Sequence, residues 1–169
     1  MASQSEEDSY QIDFSIPQPT DASAVNLLIK NSPPLDTNSL YCNLLQTSHF
    51  AHTAVVAKMN SEVVGFVSGY LKPEQPDTYF LWQVVVGEVA RGKGLAKRMI
   101  NALFRRDNFS KVAWLETTIT PDNEASQRLF KSLAKDWQAG VDVEVIFEKD
   151  AHFNGQHDSE ELYRIGPVN

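Results

Sequence analysis

The stretch Thr78–Val86 is a near-continuous apolar run that empties into Gly87-Glu-Val-Ala-Arg-Gly-Lys-Gly-Leu-Ala96. A run of that kind reads as a central strand covered on both faces, because half-exposed strands alternate apolar with polar residues. The residues after it read as a helix from about Gly94 to Asp107, with Leu95, Met99, Ala102 and Leu103 as its inner stripe. Between strand and helix, Gly92 and Gly94 remove side-chain bulk. Main-chain N–H groups can then face an anion at the positive end of the helix. Arg91 and Lys93 add charge, and the small Ala96 lets a ligand come close. This turn suits a diphosphate.

Three phosphate-binding patterns can be laid over the turn, and one fits. Gly87 to Lys93 has the P-loop spacing G-x-x-x-x-G-K, but Gly94 stands where that loop needs a Mg²⁺-binding hydroxyl. The dinucleotide pattern G-x-G-x-x-G fails because Lys97 takes its last glycine position. What remains is R-x-x-G-x-A, Arg91 to Ala96. Charge is distributed in keeping with it. The 22 acidic and 15 basic residues give a net charge of −7, which weighs against nucleic acid as a partner. Yet Arg91, Lys93, Lys97, Arg98, Arg105, Arg106 and Lys111 crowd a segment holding one acid, Asp107. A compact polyanion would meet them there; a solvated helix face is the plain alternative.

Around this centre, residues 1–11 read as a flexible, acidic tail and residues 12–169 as a single domain. Ile12–Ser15 is a short strand, and Thr20 or Asp21 can cap a helix to about Lys30. Asn31–Asp36 is a connector stiffened by tandem prolines. A helix from about Ser39 to His49 follows. Thr53–Met59 and Glu62–Leu71 form a hairpin through Asn60-Ser61, and Lys72–Asp77 is a loop. Lys111–Thr118 is a strand, and the helix after Pro121 carries Ala125, Leu129 and Phe130. Val141–Phe147 and Leu162–Ile165 close the sheet around the polar segment Asp150–Glu160. Strands alternating with helices make this a mixed α/β chain.

No apolar run approaches the roughly 18 residues of a membrane span. The polar, acidic start cannot act as a signal peptide, so the cytoplasm is expected, without a membrane partner. Cys42 stands alone, which excludes an intrachain disulfide. His49 and His52 have a spacing that some metal sites use, but no second cysteine and no H-E-x-x-H accompany them. No metal is expected.

The Arg91–Ala96 pattern, set between a central strand and a helix, resembles the acetyl-CoA loop of the GNAT acetyltransferases. Glu116–Asn123 leading into Ala125–Phe130 is similar to that family's second coenzyme-contacting segment. The resemblance implies the α/β (α+β) GNAT acyl-CoA N-acyltransferase fold, a mixed, mostly antiparallel central sheet with helices on both faces. It implies acetyl-CoA as co-substrate, held by Val84, Val85, Val86, Arg91, Gly92, Lys93, Gly94, Leu95, Ala96, Asn123 and Ser126. Longer strings resemble the diaminobutyrate acetyltransferase branch of the family, which serves ectoine biosynthesis. They include Pro33–Tyr41, Trp82-Gln83-Val84, Leu115–Pro121 and His157–Ile165. By that resemblance the substrate is L-2,4-diaminobutyrate, acetylated on its 4-amino group, and the enzyme is a cytoplasmic homodimer.

The residues make chemical sense beside the resemblance. A diamino acid presents two cationic amines, so its pocket needs acids. Similarity to the branch points to Asp36, Trp82 and Glu161, with Tyr41 near them. Asp36 would equally serve as a helix cap, Trp82 as core and Glu161 as a solvated strand end. The attacking amine must lose a proton, and Glu116 is the first candidate base, with His157 second. Main-chain N–H groups near Val84–Val86 would polarise the thioester carbonyl. Phe130 stands where many GNAT enzymes have a tyrosine that protonates the leaving thiolate; either water protonates it here, or another group such as Tyr163 or Ser126 does. Another amine substrate, or a silent acyl-CoA-binding module, are the competing readings.

Overall fold

Asn60 and Ser61 both take left-handed backbone angles, φ 51° and 67°, and fold Val55–Met59 (β2) onto Glu62–Lys72 (β3). A turn with two positive φ angles matches the right-handed twist of the strands it joins. The computed structural model describes residues 11–168. The tail expected over 1–11 therefore lies, except for Gln11, outside the described residues.

Ile12–Ser15 (β1) pairs with β2, and Gln75–Val86 (β4) with β3. Trp114–Ile119 (β5), Gly140–Phe147 (β6) and Glu160–Gly166 (β7) complete a seven-stranded sheet in the order β1-β2-β3-β4-β5-β7-β6. Every neighbouring pair is antiparallel except β4 and β5. Successive strand residues face opposite sides, and both sides are covered. Val55, Ala57, Tyr79 and Leu115 pack with Leu95–Phe104 (α3) and Glu124–Asp136 (α4). Val56, Phe66 and Val85 pack on the other side with Val25 and Ile29 of Ala22–Lys30 (α1). Leu40–Gln46 (α2) lies against α1. This is the mixed, mostly antiparallel sheet with helices on both faces that the sequence led us to expect.

Several boundaries differ. The loop expected over Lys72–Asp77 is a tight turn at Pro73-Glu74, because Pro76 sits inside β4. A proline is tolerated there, since pairing to β5 begins only at Thr78. The second helix ends at Gln46 rather than His49. The Thr47 hydroxyl donates to the carbonyl of Asn43 (2.9 Å), a side-chain bond that favours a stop over a further turn. The helix after the glycine turn ends at Phe104, and Asp107–Phe109 forms a separate 3₁₀ turn that delays β5 to Trp114.

Two irregularities in β4 shape everything that follows. First, β4 and β5 pair only at Thr78–Trp114, Tyr79–Leu115 and Phe80–Glu116, then part. The Thr117 hydroxyl donates to the Leu81 carbonyl (3.0 Å) at the point of divergence. Second, Ser68 pairs with Gln83 while Gly69 pairs with Leu81, so Trp82 is an extra residue, a β-bulge. Before it, Tyr79 and Leu81 face α3 and α4; after it, Val84 and Val86 do. The bulge thus changes which residues reach the opening.

Gly69, opposite the bulge, has no room for a side chain: a Cβ would lie 2.3 Å from the Tyr79 hydroxyl and 2.4 Å from the Phe80 carbonyl. Gly69→Ala is expected to destabilise the protein by about 3 kcal/mol through overpacking against fixed backbone. A urea-unfolding midpoint unchanged from wild type would show that the bulge can yield.

Candidate active site

Beyond Phe80, the edge of β4 that faces β5 has no strand partner. Alternate main-chain N–H and C=O groups of Leu81–Val86 turn toward the gap, and buried main-chain groups need partners. A cleft of about 700 Å³ opens there, lined by Trp82 and Val84 from β4 and by Thr118 from β5. On the α3–α4 side its wall is Asn123, Ser126 and Phe130; on the α1 side it is Pro34, Leu35 and Asp36. The cleft therefore gives access from both faces of the sheet.

A second, smaller cavity of about 200 Å³ lies at the start of α3, lined by Val86, Arg91, Gly92, Gly94, Ala96 and Leu129. The two are neighbours along one strand and one helix: Val84 and Phe130 line the first, Val86 and Leu129 the second. Gly92 and Gly94 have φ of +75° and +66°, a region that glycine enters without strain. Gly94 is the N-cap of α3, and no side chain caps it, so the first N–H groups of the helix are left for a ligand. Leu95 is buried and can contribute only through its main chain. Lys97 lines this cavity but is tied to α4 through the Ser132 hydroxyl (2.9 Å) and Asp136. Lys93 is exposed beside the turn. Arg91 donates from Nε to the Val86 carbonyl (3.2 Å), which fixes it over the end of β4. Val85 faces α1 and lines neither cavity through its side chain.

Asn123 caps α4: its Oδ1 accepts from the Ser126 N–H (3.1 Å), and both residues line the large cleft. The α1 side of the same cleft is acidic. His157 lies with its Nε2 3.6 Å from Asp36 Oδ2 and 3.8 Å from Glu160 Oε1. Its Nδ1 meets the Asp158 carbonyl at 2.7 Å, and since a carbonyl only accepts, Nδ1 carries the hydrogen. That bond is the main reason the His157 pKa lies above 6.5; burial works against it, and the Asp36 and Glu160 carboxylates add to the rise. Burial raises the Glu160 pKa, partly offset by a hydrogen bond with Thr118 and by His157. Glu160 Oε2 is buried without a hydrogen-bond partner among the described residues. An acceptor in that state needs a donor from elsewhere.

Not every residue singled out in the sequence meets in this cleft. Asp36 and Trp82 do. Tyr41 lies on α2 with 70% of its surface exposed and does not line the cleft. Glu161 points the other way from Glu160, toward Tyr163 in the α3–α4 core, and it is Glu160 that reaches the cleft. Tyr163 is buried, its pKa raised by burial and by Glu161, and it too stays out of the cleft. Glu116 is 2% exposed and outside the cleft lining, its carboxylate engaged by Lys72 (2.8 Å) and Arg164. A carboxylate clamped by two cations has its lone pairs occupied and is poorly placed to accept a proton. Among the described residues, no group of three or more His, Cys, Asp or Glu side chains could hold a metal ion.

A split in a sheet next to an uncapped, glycine-led helix start suits a long ligand with a diphosphate at one end. Residues 22–134 match the model of the Acetyltransferase (GNAT) family, and the chain belongs to that family. It is 54% identical over 143 residues to an L-2,4-diaminobutyric acid acetyltransferase of Methylotuvimicrobium alcaliphilum, covering 85% of this chain and 83% of that protein. It is 51% identical over 152 residues to the protein of the same name from Halomonas elongata, covering 89% of this chain and 79% of that one. Among solved structures it is similar to the diaminobutyrate acetyltransferase of Paenibacillus lautus in complex with L-2,4-diaminobutyric acid and coenzyme A. That similarity has a TM-score of 0.89 at 34% identity and covers 94% of this chain and 96% of that one.

Reversing charge at the α3 turn should therefore act on the coenzyme alone. Arg91→Glu is expected to weaken coenzyme A binding by about tenfold or more, and Asp36→Ala to change it by less than about twofold. Calorimetric titration with coenzyme A checks this; equal losses in the two variants would count against the assignment.

Proposed function

We propose that this chain transfers the acetyl group of acetyl-CoA to the 4-amino group of L-2,4-diaminobutyrate, a step of ectoine biosynthesis. The observation that carries the reading is the polarity of the cleft. Its α3 end offers free helix N–H groups and Arg91, which suit a diphosphate. Its α1 end offers Asp36 and Glu160, the latter with an oxygen lacking a donor, which suit ammonium groups. The relatives named above carry the same activity in their names over most of their length.

In this reading the thioester enters from the α3–α4 side and the diamino acid from the α1 side. The two meet where β4 and β5 part. Arg91, Gly92, Gly94 and Ala96 hold the diphosphate, with Lys93 beside them, while Asn123 and Ser126 border the coenzyme's path. Trp82 walls the amine side. Main-chain N–H groups of Val84–Val86 steady the carbonyl oxygen as the amine attacks, where charge develops. The transfer is direct. The amine must be neutral to attack, and His157, not Glu116, is the acceptor in place: its Nε2 faces the two carboxylates that hold the ammonium. Neither Tyr41 nor Glu161 is required by this geometry.

We further propose that the enzyme works in the cytoplasm as a homodimer. Among the described residues no helix is long and apolar enough to cross a membrane. Val143, Val145 and Phe147 form an exposed apolar stripe, 41–55% accessible, along the edge strand β6. An uncovered edge of that kind is suited to pairing with a second copy.

A thiol-release assay over an amine panel tests the substrate. Turnover of L-2,4-diaminobutyrate should exceed that of putrescine, lysine and ornithine, with the acetyl group on N4 by NMR; preference for another amine would end the assignment. The pH profile tests the base. Because the His157 pKa is raised, the group becomes neutral only above 6.5, so kcat/KM for the amine should climb through that region. His157→Gln should lose this limb and keep only the slope from the substrate's own amine. Superimposable profiles would remove His157 from the proton path.

A further inference from the structure

Two sequence strings far apart in the chain, Pro33–Tyr41 and Trp82-Gln83-Val84, meet through a single side-chain amide. Gln83 Oε1 accepts from Asn38 Nδ2 (2.9 Å), and Gln83 Nε2 donates to the Asp36 carbonyl (2.9 Å). One amide thus grips the main chain at residue 36 and the side chain at residue 38. Behind it, Asn26 Nδ2 donates to the Asn38 carbonyl and to Asn43 Oδ1, and Asn43 Nδ2 donates to Gln46 Oε1, each at 2.9 Å. Asn26, Asn43 and Gln46 are 7%, 0% and 1% exposed. Primary amides are costly to bury, and an apolar trio would fill the same space without that cost. What the amides accomplish is connection. They join α1, α2 and β4 to the one connector that carries Asp36.

Asp36 needs that support. Its side chain is 83% exposed, and its recorded partner is His157 Nε2 at 3.6 Å, across the cleft mouth. So loose a contact cannot fix where the carboxylate sits. Gln83 stands directly after the Trp82 bulge, so the extra residue that shifts the β3–β4 register also aims this amide at the connector. Every member of the network is neutral. It does not titrate, and it adds no charge to compete with a substrate ammonium.

We propose that Gln83 is a positioning residue for the amine: through the Asp36 main chain it sets the distance between Asp36 and the Glu160–His157 wall. Gln83 itself lines the cleft, but both ends of its amide are engaged by the connector, and it sets amine affinity and selectivity through that spacing. This rests on the reading of Asp36 and Glu160 as the ammonium-binding wall.

A double-mutant cycle with Gln83→Met and Asp36→Asn tests it. Methionine keeps the length of the side chain and removes both hydrogen bonds. Gln83→Met is expected to raise KM for L-2,4-diaminobutyrate about tenfold, with kcat and coenzyme A affinity within about twofold. In the Asp36→Asn background the same change should move KM by less than about twofold, because the carboxylate it positions is gone. Asn38→Ala, which removes one of the two bonds, should raise KM in the same direction by less, and it carries the test if Gln83→Met fails to fold. Additive effects in the cycle, or a parallel loss of coenzyme A affinity, would overturn the proposal. Should the wild-type enzyme prefer another amine, the substrate assignment falls, and the cycle run with that amine still decides the role of Gln83.

Discussion

The fold depends on leaving one pair of neighbouring strands unpaired over half its length. Main-chain polar groups inside a protein are almost always bonded, so a sheet that opens between β4 and β5 exposes groups that call for a partner. The protein closes one of them itself, with the Thr117 hydroxyl on the Leu81 carbonyl. The rest of the β4 edge is left to substrate. A ligand arm carrying amide groups can complete the sheet there as a strand would, and Val84 and Val86 keep the β4 side of the opening apolar. Val84 and Val86 turn their side chains to the α3–α4 core, so what they offer at the gap is main chain.

Charge then gives the opening a direction. In a chain of net charge −7, basic residues gather around α3 and acids around the connector and β7. In the proposed reading a diphosphate goes to one end and ammonium groups to the other, so that the two substrates enter from opposite faces and meet at the split. Orientation of this kind supplies much of the rate for a direct transfer, because neither partner has to be reorganised once bound. The lack of a cap on α3 is part of the same arrangement. A serine or aspartate at Gly94 would satisfy the helix N–H groups and remove the anion site.

The turn and the helix cap proposed to hold the coenzyme were legible in the sequence because their determinants are local. Arg91–Ala96 is six consecutive residues, Gly92 and Gly94 announce their positive φ by identity, and Asn123 caps the helix it immediately precedes. The amine half was not, because its determinants are relations between strands. Glu160 and Glu161 are adjacent acids, and strand register decides which faces the cleft; one residue reverses the answer. Glu116 looks like a free carboxylate until Lys72 and Arg164, 44 and 48 positions away, are folded against it. The Trp82 bulge left no trace in an apolar run, yet it selects the residues that enter the gap. Resemblance to a family named Asp36, Trp82, Tyr41 and Glu161, but only the folded chain shows that it is His157 and Glu160 that line the cleft beside Asp36.

The loss of the expected tyrosine follows the same logic of what the chemistry requires. Phe130 is 2% exposed and lines the cleft, so it supplies an apolar wall and no proton. Tyr163 cannot substitute, since it is buried against α3 and α4 with its proton held more tightly than in water. A thiolate, however, is a good leaving group. Ordinary thiols ionise near pH 8.5, so releasing one unprotonated near neutrality costs only about 1–2 kcal/mol at 1.36 kcal/mol per pH unit. An alkoxide would cost several times more and would demand an acid. The harder proton is the one on the ammonium, whose pKa lies well above neutrality and would be raised further by Asp36 and Glu160 if, as proposed, they bind it. Binding the amine and activating it are therefore opposed. The proposed base, His157, stands between the two carboxylates and would resolve that opposition at the place where it arises.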